Sequence, residues 1–266
     1  MTLPASHRNL SASNRLAMRI VPGIHSVRET LKIRPKRITE LWLREGKLSG
    51  DLEVFLQEAL KNRLKIKRVA GPALDKQVTS HQGVIAFVDG APEWPTAATL
   101  KKLERGFFIA LDSIEDPSNV GSIARSAWNL GCLGILTSKD RAAGLTPAAE
   151  KVASGGFEHV PFETVSNLAS ELITLKELGF WVYGLDGESP QSLLETDLGA
   201  KSVVVIGSED SGLRKPVEGA CDALISIPQT IRAQSFNAAV AGAIVGYEFW
   251  RQGHLSETSK ISRKKV

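Results

Sequence analysis

The chain has 266 residues, of which 42% are hydrophobic and two are cysteine, and its formal net charge is +4. That is material for one large or two modest domains with a buried core. No apolar run approaches the length of a membrane helix, two cysteines make no disulfide framework, and no Cys/His cluster has metal-ligand spacing.

The first twenty residues read as a flexible basic tail. They lack the apolar core of a signal peptide, so the expected location is the cytoplasm. Residues 21–90 read as a small α/β unit: IHSVRETLK a helix, ITELWLR a strand, DLEVFLQEALKNR an amphipathic helix, LKIKRVA a strand, a short helix after Gly71, and GVIAFV a strand. Lys61, Arg63, Lys65, Lys67 and Arg68 crowd one helix-to-strand junction, either as a phosphate contact or as a solvated edge. Residues 91–105, with two prolines, small residues and charges, form the expected linker.

From residue 106 to 253 strands and helices alternate. FFIAL is a strand, VGSIARSAWNLG a helix, LGILT a strand, TPAAEKVAS a helix and EHVPF a short strand. VSNLASELITLKELG follows as a helix, then FWVYG, VVVIG and ALISI as strands. This alternation predicts a parallel sheet covered on both faces. The last helix starts near Ser235, a good N-cap, and is expected to stop at Gly253. Its small residues, Gly242 and Gly246 among them, cost helix propensity unless another backbone lies against that face. Residues 254–266 read as a second basic tail.

The charge is segregated along this plan. Lys and Arg outnumber Asp and Glu 3 to 0 over residues 1–20, 13 to 8 over 21–90 and 4 to 1 over 254–266, but trail 13 to 20 over 91–253. Either the front and the tails grip nucleic acid, or these are solvated faces.

Chemistry in open α/β sheets sits at the carboxyl ends of strands, which directs attention to the segments after FFIAL and VVVIG. There is no G-x-G-x-x-G with a following acid, no P-loop and no G-x-S-x-G elbow, so dinucleotide, P-loop and hydrolase readings lose support. Arg125 lies on the helix that follows the first segment, where a guanidinium holds phosphate or developing negative charge, or pairs with a nearby carboxylate on the helix surface. Asn119 is a ligand or a cap, Glu209 a ligand or a solvated loop residue, and Ser235 a cap. Asn237, in the first turn of an apolar helix, needs a partner for its amide.

Three ordered motifs, NVGSIAR (119–125), GSEDSGL (207–213) and ISIP (225–228) followed by SFNAAVA (235–241), resemble those of the SpoU or TrmH family of RNA ribose 2′-O-methyltransferases. The segments GIHSVRETL, ELWLREG and HQGVIAFV resemble the substrate-binding domain that precedes the catalytic domain in the 23S rRNA guanosine methyltransferases of that family. Together the resemblance covers about residues 20–253. It implies an L30e-like RNA-binding domain, a SPOUT domain with a parallel sheet and a C-terminal trefoil knot, a homodimer, and S-adenosylmethionine as methyl donor. It also implies donor contacts at Gly207, Ile227 and Phe236, and catalytic or RNA-orienting roles for Asn119, Arg125, Glu209, Ser235 and Asn237. The chain departs from the family pattern at Asp210, where Gly is common, at Gln229 for Met, at Phe236 for Leu, and at Ala238 and Ala239 for Val-Ser. A tRNA methyltransferase and a noncatalytic RNA-binding or ribosome-assembly factor are the alternative readings.

Overall fold

The computed structural model describes residues 18–48, 50–230 and 235–263. The expected tail segments 1–17 and 264–266, and residues 231–234 of the polar loop before the last helix, lie outside them.

The front unit runs β1 (Met18–Pro22), α1 (Ile24–Ile33), β2 (Ile38–Arg44), α2 (Asp51–Lys61), β3 (Ile66–Val69), α3 (Gly71–Asp75) and β4 (Val84–Asp89). Its sheet has the order β1-β4-β2-β3; β4 is antiparallel to β1 and β2, and β3 is parallel to β2. Alternation fixes the buried face: Leu41, Leu43, Val84, Ala86 and Val88 meet Val27, Leu31, Leu52 and Phe55 of α1 and α2. β1 corrects the sequence reading, which assigned residues 1–20 to a flexible tail; Met18 to Ile20 pair with Asp89 to Phe87. The expected linker 91–105 holds α4 (Ala97–Lys102), capped by the Thr96 hydroxyl accepting from Thr99 N, and Trp94 stacks on Phe108 with centroids 4.9 Å apart.

The second unit follows as β5 (Gly106–Leu111), α5 (Pro117–Asn129), β6 (Ile135–Ser138), α6 (Pro147–Ala153), β7 (Phe162–Val165), α7 (Leu168–Glu177), β8 (Trp181–Leu185), β9 (Lys201–Ile206), α8 (Lys215–Glu218), β10 (Ala223–Ile225) and α9 (Ala238–Arg263). The six strands take the order β10-β8-β9-β5-β6-β7 and every pair is parallel. β5 is buried at all six positions, as expected of a central parallel strand with both faces covered. One face packs against α5, α6 and α9, the other against α4, α7 and α8.

Three boundaries depart from the sequence reading. EHVPF is not a strand, because residues 156–158 form a 3-10 turn and pairing starts at Phe162, after Pro161. Ser235 does not cap the last helix; Asn237 does, its Oδ1 accepting from Ala239 N at 2.9 Å. That helix also passes through Gly253 to Arg263, so the expected tail from residue 254 begins as helix. Gly253 leaves room for a neighbour instead of stopping the helix: a Cβ there would lie 2.5 Å from Nε of Arg105. The small residues of α9 likewise face side chains and not another backbone. A Cβ on Gly242 would meet Ile206 Cδ1 at 2.9 Å, and one on Gly246 would meet Leu130 Cδ1 at 3.0 Å.

The two units meet around a buried ion cluster. Arg19 of β1, 5% exposed, donates to Glu150 of α6 at 2.6 Å and to Glu158 at 2.5 Å, while Arg34 and Thr30 also donate to Glu158. Removing Arg19 would strand the buried Glu150 carboxylate, while Glu158 keeps Arg34, a loss of roughly 3–5 kcal/mol. Burial pushes the Glu150 carboxyl up to about 7, with Arg19 opposing and Glu158 adding to the rise, and its Oε2 has no hydrogen-bond partner. A carboxyl whose folded pKa is raised stabilises the fold fully below its ordinary 4.5 and loses that contribution as pH rises through about 7. The melting temperature is therefore expected to fall between about pH 5 and about pH 8, and Glu150→Gln is expected to flatten that slope. Scanning fluorimetry across this range checks it; an equal slope in the variant contradicts the assignment.

Candidate functional site

Gly207 to Arg214 leave the carboxyl end of β9 as a tight loop. Ser208 and Gly212 exchange backbone hydrogen bonds at 3.1 and 2.9 Å, and a Cβ on Gly207 would sit 2.5 Å from the Gly212 carbonyl oxygen. Only glycine permits that approach. Asp112, fully buried after β5, fixes the far end of the loop by accepting from Arg214 N at 2.8 Å and from Arg214 Nε at 2.6 Å.

Between this loop, the segment after β8, and residues 224–241 lies a cavity of about 560 Å³. Ile206, Leu224, Ile225, Ile227, Phe236 and Ala241 supply apolar wall, and Asp186, Glu188, Glu209, Asp210 and Glu218 supply carboxylates. Among the described residues its one cation, Lys215, pairs with Glu218 at 3.0 Å. The volume suits a small molecule, and the charge of the described lining favours a cation over a phosphorylated ligand.

At the rim the chain gathers three of the predicted residues. Glu209 Oε1 accepts from Asn119 Nδ2 at 3.1 Å, from Asn237 Nδ2 at 2.9 Å and from Ala238 N at 3.1 Å. Asn237 Nδ2 also donates to Asn119 Oδ1 at 2.8 Å. Thus α5, the β9 loop and the start of α9 are tied together by one carboxylate. Asn119 sits there because Asp116 caps α5, accepting from Ser118 N at 2.8 Å, with Pro117 in the first turn. Gly121 lets α5 lie against α6, since a Cβ would be 2.5 Å from the Ala149 carbonyl oxygen.

The other predicted residues divide. Gly207, Ile227, Phe236, Glu209 and Ser235 all line the cavity, and Gln229 and Asp210, two of the departures from the family pattern, line it as well. Ser235 makes no hydrogen bond among the described residues. Arg125 is exposed on α5, and its guanidinium has no hydrogen bond or ion pair among the described residues. It lines neither cavity. Sequence reasoning missed Asp186 and Glu188, although their place just beyond a strand's carboxyl end was a usable signal. It also missed the pairing of Asp112 with Arg214, for which no local pattern exists.

A second, more open groove of about 990 Å³ runs along α5 and α9, lined by Asn119, Asn237, Leu194, Val240, Ile244 and Tyr247 among others. Glu209 faces the first cavity and its two amide partners the second, so the network stands where they adjoin.

The SpoU rRNA methylase family profile matches residues 106–247, which is more than half of the chain. The chain belongs to the SpoU rRNA methylase family. A separate profile, RNA 2′-O ribose methyltransferase substrate binding, matches residues 20–94. The chain is 37% identical over 238 residues to the 23S rRNA (guanosine-2′-O-)-methyltransferase of Shewanella oneidensis, covering 88% of this chain and 97% of that one. It is 38% identical over 238 residues to a protein named as a TrmH family tRNA/rRNA methyltransferase in Bacillus subtilis, covering 87% and 95%. Among solved structures, the SpoU methyltransferase AviRb of Streptomyces viridochromogenes in complex with AdoMet superposes with a TM-score of 0.74, at 23% identity, covering 88% of this chain and 90% of that one. That likeness bears on fold alone. The family's profile ends at 247, inside α9, and its front profile starts at Ile20, inside β1.

Proposed function

We propose that this SpoU-family chain transfers a methyl group from S-adenosylmethionine to the 2′-hydroxyl of a ribose in RNA, a guanosine of 23S rRNA. The observation that carries the reading is the Glu209, Asn119 and Asn237 network at the rim of an acidic, partly apolar cavity. S-adenosylmethionine, whose sulfonium and ammonium are cationic, suits those carboxylates, and its adenine suits the apolar wall to which Leu224, Ile227 and Phe236 contribute. Gly207, Ile227 and Phe236 would hold it, and when bound it supplies an electrophilic methyl group. The identity of the rRNA rests on the relatives, since the Shewanella protein is named for a guanosine of 23S rRNA.

The residues of the chain then have distinct tasks. A ribose hydroxyl must shed its proton as it attacks, so the site has to hold developing negative charge. Arg125 is the cation for that task; its guanidinium stays protonated at neutral pH and acts by charge and by gripping the adjoining phosphate, not as a base. Asn119 and Asn237 fix the nucleotide's position, Glu209 locks both amides in one orientation, and Ser235 supports the cavity wall.

We further propose that two copies associate through the groove along α5 and α9, where Leu194, Tyr247 and Val240 are 71%, 55% and 46% exposed. Sedimentation of wild type and Leu194→Glu tests this; two monomers would refute it. A C-terminal trefoil knot, and a place of work in the cytoplasm, belong to the same proposal. The convergence of the Gly207–Arg214 loop and α9 on the end of β9 supports the knot, and the two unpaired thiols Cys132 and Cys221 support the compartment.

The test of substrate is labelled methyl transfer to total rRNA, total tRNA and pre-ribosomal particles from a strain lacking the protein. Label in 23S rRNA is the expected result. Label confined to tRNA would overturn the substrate, and RNA binding without transfer or donor binding would favour a noncatalytic assembly factor.

A further inference from the structure

The front-domain sheet is covered on one face by α1 and α2, but on the other only by the five-residue α3, whose Leu74 shields Val69 and Ile85. Beyond α3 no other described element covers that second face. Strand registers set two rows across it: Ile20, Phe87 and Glu40 in one, and Ile85, Trp42 and Lys67 in the next. Trp42 and Phe87 pack at 4.9 Å between centroids with rings tilted by 60°, and both remain partly exposed, as does Ile20; Met18 is 56% exposed.

These aromatics are held and flanked by charge. Trp42 Nε1 donates to Glu40 Oε2 at 2.6 Å, which fixes the indole plane. Lys67 Nζ stands 4.8 Å from the Trp42 ring centre. Lys65 pairs with Glu40 at 3.0 Å, so the one carboxylate in the middle of the face is already neutralised. Residues 59–74, which lead into β3 and past it, hold five cations and no acid. Lysines alone are what an edge strand carries to avoid pairing with another sheet. That explanation leaves a partly exposed, orientationally fixed tryptophan and phenylalanine unaccounted for in the middle of the face.

We propose that this open face is a stacking platform for an unpaired nucleobase of the RNA substrate, with Trp42 and Phe87 beneath the base and Lys67 and its β3 neighbours on the adjoining phosphates. Aromatic side chains on a sheet bordered by cations suit single-stranded RNA, whose splayed bases offer a π-face, and not duplex RNA, whose bases are stacked internally. The proposal rests on the RNA-methylation reading and adds where the RNA is gripped far from the reacting ribose.

The experiment measures binding of the full-length protein to a mixed-sequence ten-nucleotide single strand of RNA and to the corresponding duplex by fluorescence anisotropy, with methyl transfer to rRNA run in parallel. Wild type is expected to prefer the single strand, and Trp42→Ala to weaken that binding by about ten-fold, while Trp42→Phe retains most of it. Lys67→Glu, a change at an exposed side chain, is expected to lower the salt dependence of binding by about one unit of slope. Unchanged single-strand affinity in both Trp42→Ala and Lys67→Glu overturns the platform while leaving methylation standing if wild type still transfers label. Failure of wild type to methylate any RNA overturns the parent reading instead. Equal affinity of wild type for duplex and single strand also contradicts the platform.

Discussion

Arg125→Ala is expected to lower methyl transfer by about 100- to 1,000-fold, the range seen when one charge-stabilising donor is removed from a reacting site. Melting temperature and donor affinity are expected to stay at their wild-type values. The side chain is exposed and bonded to nothing among the described residues, so its loss breaks no structural contact. It lies six residues beyond Asn119 on the same helix, about 9 Å along the axis. Arg125→Lys separates charge from geometry. A lysine keeps the charge but not the planar fork that holds a phosphate through two parallel hydrogen bonds, so turnover is expected to recover only in part. Near-normal turnover in Arg125→Lys with unchanged RNA affinity would show that the fork is not required.

The second large effect is expected at Gly207. An alanine there would place its Cβ 2.5 Å from the Gly212 carbonyl oxygen, and the obstacle is backbone, which cannot swing aside as a side chain would. The loop must open, displacing Glu209 from Asn119, Asn237 and Ala238 N. Overpacking of this kind costs about 1–3 kcal/mol in stability. Function should suffer more than stability, because the same loop walls the cavity: binding of S-adenosylmethionine by calorimetry is expected to fall by at least about 100-fold, which is about 2.7 kcal/mol. Gly212→Ala is the informative comparison. Gly212 has a φ of +64° but open space around its Cβ position, so alanine there meets backbone strain without collision. Donor affinity in Gly207→Ala within a few-fold of wild type would refute the claim that this loop shapes the donor cavity.

Much of the site was legible because its determinants are local. A run of four apolar residues ending at Gly207 announces a buried strand and the loop that carries Glu209, and a strand followed by a polar loop and a helix places Asn119. What sequence could not show is that these loops close on one another. Asn119 and Asn237 are separated by 118 positions, and the need of the Asn237 amide for a partner was readable while the partner was not. Arg19 shows the same limit more sharply. An arginine in a five-residue strand next to a basic tail reads as tail, and its burial makes sense only with Glu150 and Glu158, 131 and 139 positions away. The end of α9 was misplaced for a different reason. Gly253 is a common kind of helix stop, but here it makes space for the Arg105 guanidinium, which donates to the Phe249 carbonyl at 2.5 Å and to Gly199 O at 3.0 Å.

The fold of the front unit followed from alternation, yet its exposed aromatic face did not stand out in sequence. Trp42 and Phe87 lie in segments read simply as strands, and the strand order and the shortness of α3 leave them partly at the surface. Burial of the opposite face by α2 was by contrast written into the spacing of Leu52, Phe55 and Ala59.

The central claim is chemical, that the oxygen of a ribose receives the methyl group, and mass spectrometry of nucleosides tests it most directly. Ribosomal RNA from a strain lacking the protein is treated with the enzyme and isotopically labelled S-adenosylmethionine, then digested to nucleosides. The account predicts label in 2′-O-methylguanosine alone, absent with Arg125→Ala. Label on a nucleobase, or label that survives in Arg125→Ala at wild-type rate, would contradict it.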